Sequence, residues 1–190
     1  MISLRQGKSL DPKNNICVVR KQSDGTKEWF YGSNIVTNDG DIYYAKRACG
    51  ETPATDENFG TVASGAGATC ILNNPSSADT LAKTDAYQHV LTPIVTSGAQ
   101  KDASSNYPKT NDGDSDNTGA GTDVVTYKFE WTTSQIDTSS GNPITGGCII
   151  DKNSTLGTGK KILTHWNFAS PASFHKTSTD TLTLYVNHTM

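Results

Sequence analysis

A chain of 190 residues with 34% hydrophobic and 18% charged residues and a net charge of −3 suits one domain of ordinary size. A pI near 5.7 with scattered Lys and Arg argues against a nucleic-acid groove, which needs a basic stripe. No segment approaches a membrane span, and three Trp, seven Tyr and five Phe supply core volume that a disordered chain lacks.

Much of the remainder is Thr, Ser, Asn and Gly. Thr favours strands and the others favour turns, so the composition suits many short strands joined by long loops. The opening MISLRQGKSLDPK lacks an apolar signal-peptide core, which implies a protein made and kept in a reducing cytoplasm, or assembled there into something later released. Cys17, Cys49, Cys70 and Cys148 have long, irregular spacings with no C-x-x-C, so neither a zinc site nor a disulfide framework is expected. Cys17 and Cys148 lie in apolar strand-like runs and read as small core residues.

In chain order, residues 1–14 are polar and read as an N-terminal arm, leaving 15–190 as a single β-rich domain with a small sub-sheet in 15–48. NICVVR (15–20) and KEWFY (27–31) flank the turn Ser23-Asp24-Gly25-Thr26 and form a predicted hairpin. A second hairpin is predicted around Asn38-Asp39-Gly40, with Ile42, Tyr43 and Tyr44 on its return strand. Residues 49–68 read as a long Gly-rich loop that continues over 69–80, and SSADTLAKTDAYQHV (76–90) carries Ser77 and Asp79 as caps for one short helix. HVLTPIVT (89–96) reads as an edge strand because Pro93 cannot donate to a ladder.

Residues 97–123 form a long acidic loop, and the next strand is the clearest in the chain. Val125, Tyr127, Phe129 and Trp131 alternate with Thr126, Lys128, Glu130 and Thr132, which predicts the first set in the core. ITGGCII (144–150) follows, with a bulge suggested by Gly146-Gly147. KKILTHWNF (160–168) is predicted to put Ile162, Trp166 and Phe168 on one face. In the last strand, TDTLTLYVNHT, Leu182, Leu184 and Val186 form the apolar face. About eight or nine short strands bounded by turns point to an all-β fold, an antiparallel β-sandwich or jelly roll with long loops and an extended N-terminal region.

The acidic loop is the first candidate for chemistry. Asp112, Asp114, Asp116 and Asp123 stand at positions one, three, five and twelve of a run, the spacing of an oxygen-ligand calcium loop. Two residues depart from that pattern: Asn117 stands where the sharp turn favours Gly, and Asp123 is one carbon shorter than the usual bidentate Glu. Without calcium, the same loop reads as solvated or facing a partner.

Other motifs fail on spacing. LGTGKK (156–161) has Ser154 where a phosphate loop needs Gly and Lys161 where it needs Ser or Thr. SGAGAT (64–69) lacks a Lys and a following helix. His89, His165, His175 and His188 form no H-x-x-x-H pair, and His165 and His188 are assigned to the polar faces of their strands. No G-x-S-x-G elbow is present, so no enzyme is expected. Trp29, Phe30, Tyr43 and Tyr44 would suit a sugar platform or a core. Since neighbours on a strand face opposite ways, one of each pair is expected at a surface or interface.

The segments NIVTNDGDIYYAKRACGE, YPKTNDGDSDNTGAGTDVVTYKFEW and ILTHWNFASPASFHKTSTDTLTLYVNHTM together resemble virion structural proteins of tailed bacteriophages. The resemblance implies a non-enzymatic, β-rich capsid cement or decoration protein without cofactor, binding the major capsid protein or other virion proteins as a homo-oligomer. Its place would be the virion, after assembly in the host cytoplasm. The alternatives are a neck, tail or fibre component, or a calcium-dependent carbohydrate-binding module.

Overall fold

The computed structural model describes residues 15–54, 57–60, 67–75, 80–86, 92–151, 161–168 and 173–190. The predicted arm 1–14, the motif LGTGKK up to its last residue, the first half of SGAGAT, His89 and the ends of the predicted helix 76–90 lie outside them.

The fold is all-β and antiparallel. Nine strands are described: β1 (Asn15–Lys21), β2 (Lys27–Val36), β3 (Ala68–Asn73), β4 (Lys101–Asp102), β5 (Lys109–Thr110), β6 (Val124–Trp131), β7 (Gly146–Asp151), β8 (Ile162–Asn167) and β9 (Thr181–Thr189). They form one sheet in the order β4-β3-β7-β8-β2-β1-β9-β6-β5. Its ends meet. Ala103 N donates to Ala68 O of β3 (2.9 Å) and Ser104 N donates to Lys128 O of β6 (2.8 Å). The free edge of β6 is thus shared, with β5 pairing at Val125–Thr126 and the segment after β4 bonding further along. Curling a single sheet removes most of its exposed edge and encloses one face.

That enclosed face is the core. Val18 pairs with both Phe30 and Leu184, and Leu184 pairs with Phe129. Strand alternation carries the pattern outward, so Ile16, Tyr127, Trp131, Leu182, Val186, Trp166, Cys70 and Leu72 are all inside and buried. Val125 is partly buried against the same cluster. The predicted apolar faces of β6 and β9 are therefore the observed ones.

Residues 68–73, expected as loop, form β3, the described residues 80–86 of the expected helix are not helical, and Gly146-Gly147 keep regular register. Three further readings are corrected. Asn38–Ala48 is not a hairpin turn and strand but the helix α1. Thr37 caps it, its hydroxyl accepting from Gly40 N at 3.1 Å. Asp39 and Asp41 lie in the first turn and Lys46 and Arg47 in the last, which complements the helix dipole. Gly40 serves close approach here, not turn geometry: a Cβ would lie 2.2 Å from Leu163 O. Second, Ile162 does not share a face with Trp166 and Phe168. It joins Ile71, Cys148 and Ile150 on the outside of the sheet, because the β7–β8 register shifts between Ile149 and Ile150. Third, 92–96 is not a strand: Pro93 makes an isolated bridge to Asn73, and Ile94 N donates to Leu72 O.

Candidate functional site

The acidic loop folds back over the outer face of β6, β9 and β1. Alternation on β9 turns Tyr185 and Asn187 outward, on β6 Thr126 and Lys128, and on β1 Cys17. The loop meets each of them. Asp112 Oδ1 accepts from the Tyr107 hydroxyl (2.9 Å) and stands 3.1 Å from Lys109 Nζ. Asp114 Oδ2 accepts from the Tyr185 hydroxyl (2.6 Å) and from Lys128 Nζ (3.1 Å). Asp116 Oδ2 pairs with Lys27 Nζ at 2.6 Å, and its carbonyl accepts from the Cys17 thiol at 3.5 Å.

Asn117 is the pin. Its side-chain amide donates to Asp112 Oδ2 (3.1 Å) and to Asn187 Oδ1 (3.1 Å), while its own Oδ1 accepts from Asn187 Nδ2 (2.9 Å). Thr126 Oγ1 also donates to Asn187 Oδ1 at 2.7 Å. Thr126, Asn117 and Asn187 are all buried, so this seam is a satisfied polar network between loop and sheet.

The electrostatics follow from these contacts. Burial opposes ionisation of Asp112, but donors from Asn117, Tyr107 and Lys109 outweigh it and hold its carboxyl below the ordinary range. Asp114 follows the same logic, with Tyr185, the Asp116 amide and Lys128 as donors. Burial and the bond to Asp114 push the Tyr185 phenol up. Burial lowers Lys128, but Asp114 and Glu130 more than compensate and hold its ammonium above its usual value. Burial pushes the Cys17 thiol up to about 11, which leaves it protonated and unreactive.

The four proposed calcium ligands are thus not brought together. Asp112, Asp114 and Asp116 each face a different lysine, and exposed Asp123 sits at the start of β6, where its carbonyl accepts from Met190 N. Among the described residues, no group of three or more His, Cys, Asp or Glu is placed to hold a metal ion. Asp112, expected at a surface, is buried in the seam. The left-handed backbone that loop turning requires falls on Asn106 (φ 69°) and Asn111 (φ 50°), not on Asn117.

A second polar cluster lies inside the curled sheet, and residue spacing did not point to it. His188 is not on the polar face of β9. It shares the inward side with Leu184 and Val186 and is 1% exposed. Helix α1 delivers Tyr44, whose hydroxyl is 2.5 Å from His188 Nδ1, and Tyr43, which packs edge-on against Phe59. Tyr127 completes the group from β6, its ring 5.9 Å from the imidazole. Burial pushes His188 down to about 3 and the phenols of Tyr44 and Tyr127 up, so the cluster is neutral near pH 7. The even-numbered alternation of β9 was the signal that could have placed His188 inside.

Of the other described histidines, His165 is buried and His175 is exposed, and each bonds to a backbone carbonyl. His165 Nε2 contacts Ala82 O at 3.0 Å, and His175 Nδ1 contacts Thr138 O at 2.6 Å. Of the early aromatics, Phe30 packs on the core while Trp29 and Tyr31 lie half-buried on the outer face beside Cys17, Val19 and Tyr185. Comparison with protein-family models, curated proteins and solved structures finds no match for this chain.

Proposed function

We propose that this chain is a non-enzymatic structural protein of a tailed-phage particle, a capsid cement or decoration protein that binds major capsid subunits as a homo-oligomer and stabilises the shell. The observation that carries the reading is how the acidic loop is used. Its carboxylates are spent on Lys27, Lys109 and Lys128, on two tyrosines and on buried Asn117, which in turn bonds Asn187. A loop held in this way builds a stiff outer surface, and the half-buried Trp29 and Tyr31 border it. A preformed surface with partly exposed aromatics suits docking with little ordering cost, repeated over many copies. The resemblance of the three quoted segments supplies the phage setting.

Mass spectrometry and quantitative gel analysis of purified particles test this. Co-sedimentation at hundreds of copies per particle is the expected result. Absence of the chain from purified particles overturns the proposal, and six, twelve or a small multiple of three copies moves it to the neck, tail or fibres.

The carbohydrate-binding alternative draws on the same outer aromatics, Trp29 and Tyr31, as a stacking platform. A glycan array read with and without calcium decides it, and no binding in either condition removes it.

A further inference from the structure

The inner face beneath α1 carries buried polar atoms with no hydrogen-bond partner among the described residues. Asn34 of β2 and Trp166 of β8 are register partners, so their side chains rise next to each other from the same face. Both are buried, at 5% and 0% exposure. Asn34 Nδ2 donates to Thr164 Oγ1 at 2.9 Å, and Thr164 Oγ1 spends its own proton on Ile35 O at 2.9 Å. Thr164 must therefore accept from Asn34, which sets the amide orientation and leaves Oδ1 as the remaining atom. Asn34 Oδ1 and Trp166 Nε1 have no hydrogen-bond partner among the described residues.

Neither group is free to look elsewhere. The indole lies against Gly147, where a Cβ would come within 2.7 Å of Trp166 Cζ2. One is a pure acceptor and the other a pure donor, held on paired positions yet not bonded to each other. His188 Nε2, on the same face, also has no partner among the described residues: Asn34 and His188 directly follow Ser33 and Asn187, both of which pair with Asn15.

We propose that this inner layer is a binding site for structural water, with a resident molecule accepting from Trp166 Nε1 and donating to Asn34 Oδ1. Water is the smallest species that supplies both functions, and a buried site with several polar partners is where proteins retain it. The two atoms it would bridge, an indole N–H and an amide oxygen, are both uncharged, which suits a neutral occupant. The consequence is a hydrogen-bonded cross-link between β2 and β8 beneath the helix that covers them.

Water–protein NOE and ROE spectra of the isotopically labelled protein test the site at the Trp166 indole proton, assigned by its disappearance in Trp166→Phe. A cross-peak at the water frequency with opposite NOE and ROE signs is expected, the mark of a long-resident molecule. The Trp131 indole, which donates to Ala99 O at 2.8 Å, is the internal comparison and should lack that cross-peak. A high-resolution crystal structure of the unmodified chain gives the second readout. Density for a water within hydrogen-bond distance of both atoms supports the site. A direct Trp166 Nε1–Asn34 Oδ1 contact, or no density between them, overturns it.

Discussion

Asn117 and Asn187, 70 residues apart, exchange two side-chain amide hydrogen bonds, 3.1 Å one way and 2.9 Å the other. One belongs to the acidic loop and the other to β9, so this pair is where the loop is fastened to the sheet. Asn117→Ala strips partners from Asp112 and Asn187 at once, both of them buried. A loss of about 1–3 kcal/mol per orphaned group is expected by urea denaturation. The same variant should uncover Cys17. In the parent protein only exposed Cys49 should react quickly with a thiol reagent, and in Asn117→Ala a second thiol should follow. An unchanged midpoint with one fast thiol would mean the seam does not hold the loop.

Acid should unfold the protein in two stages. His188 is held down to about 3 in the fold against 6.5 in a free imidazole. Between these values the unfolded chain binds a proton that the folded one refuses, so stability falls as pH drops, by about 1.4 kcal/mol per pH unit. The carboxylates come later. Asp112 and Asp114 lie below their usual range, and Glu57, bonded by Lys161 and by Lys46, is lowered to about 2. Their contribution is fully present above the unfolded values near ~4 and is lost as pH falls through the folded ones. His188→Phe should flatten the first stage, between about pH 6 and pH 4.5, and leave the second. A wild-type profile already flat over that interval would show that the imidazole is not buried neutral.

Millimolar calcium should leave the melting temperature unchanged. Lys109, Lys128 and Lys27 already neutralise Asp112, Asp114 and Asp116, so a cation would have to displace three ammonium groups and two tyrosine donors. A rise of several degrees, reversed by chelator, would restore the calcium reading of the loop.

Helix α1 offers a test in which two principles oppose each other. Gly40→Ala improves helix propensity by about 1 kcal/mol. Here the added methyl meets Leu163 O at 2.2 Å and Val36 Cγ1 at 2.8 Å, and the first of these is backbone. Net destabilisation is expected, of the order of 1–3 kcal/mol as for other overpacked sites. Thr37→Ala, which removes the cap, should cost about 1 kcal/mol. Thermal melts of the two variants check both, and a stabilised Gly40→Ala would mean that α1 does not rest on β8.

How legible the molecule is in its sequence differs from element to element. In β6, Val125, Tyr127, Phe129 and Trp131 alternate without interruption, and the core face is the one that alternation predicts. The β1–β2 hairpin and β9 are equally readable, because period-two burial is written locally. Helix α1 is less legible, because Asn38-Asp39-Gly40 is also a turn signature and Ile42-Tyr43-Tyr44 favours strands. The deciding signals were the Thr37 cap and the charge polarity from Asp39 and Asp41 to Lys46 and Arg47. For Ile162 there was no local signal, since the face it occupies depends on a register shift in the β7–β8 ladder.

The site divides in the same way. Asp112, Asp114 and Asp116 were visible as a cluster, and their spacing suggested a cation. Only the fold brings Lys27, Lys109, Lys128, Tyr107 and Tyr185 to them. By itself the sequence determined the all-β class, the inward face of β6 and the acidity of the loop, because alternation and composition are local properties. The tertiary structure alone decided which charges those carboxylates meet and that Asn117 finds Asn187. Pairing energies depend on distance, and distance across 70 residues is set by how the sheet curls.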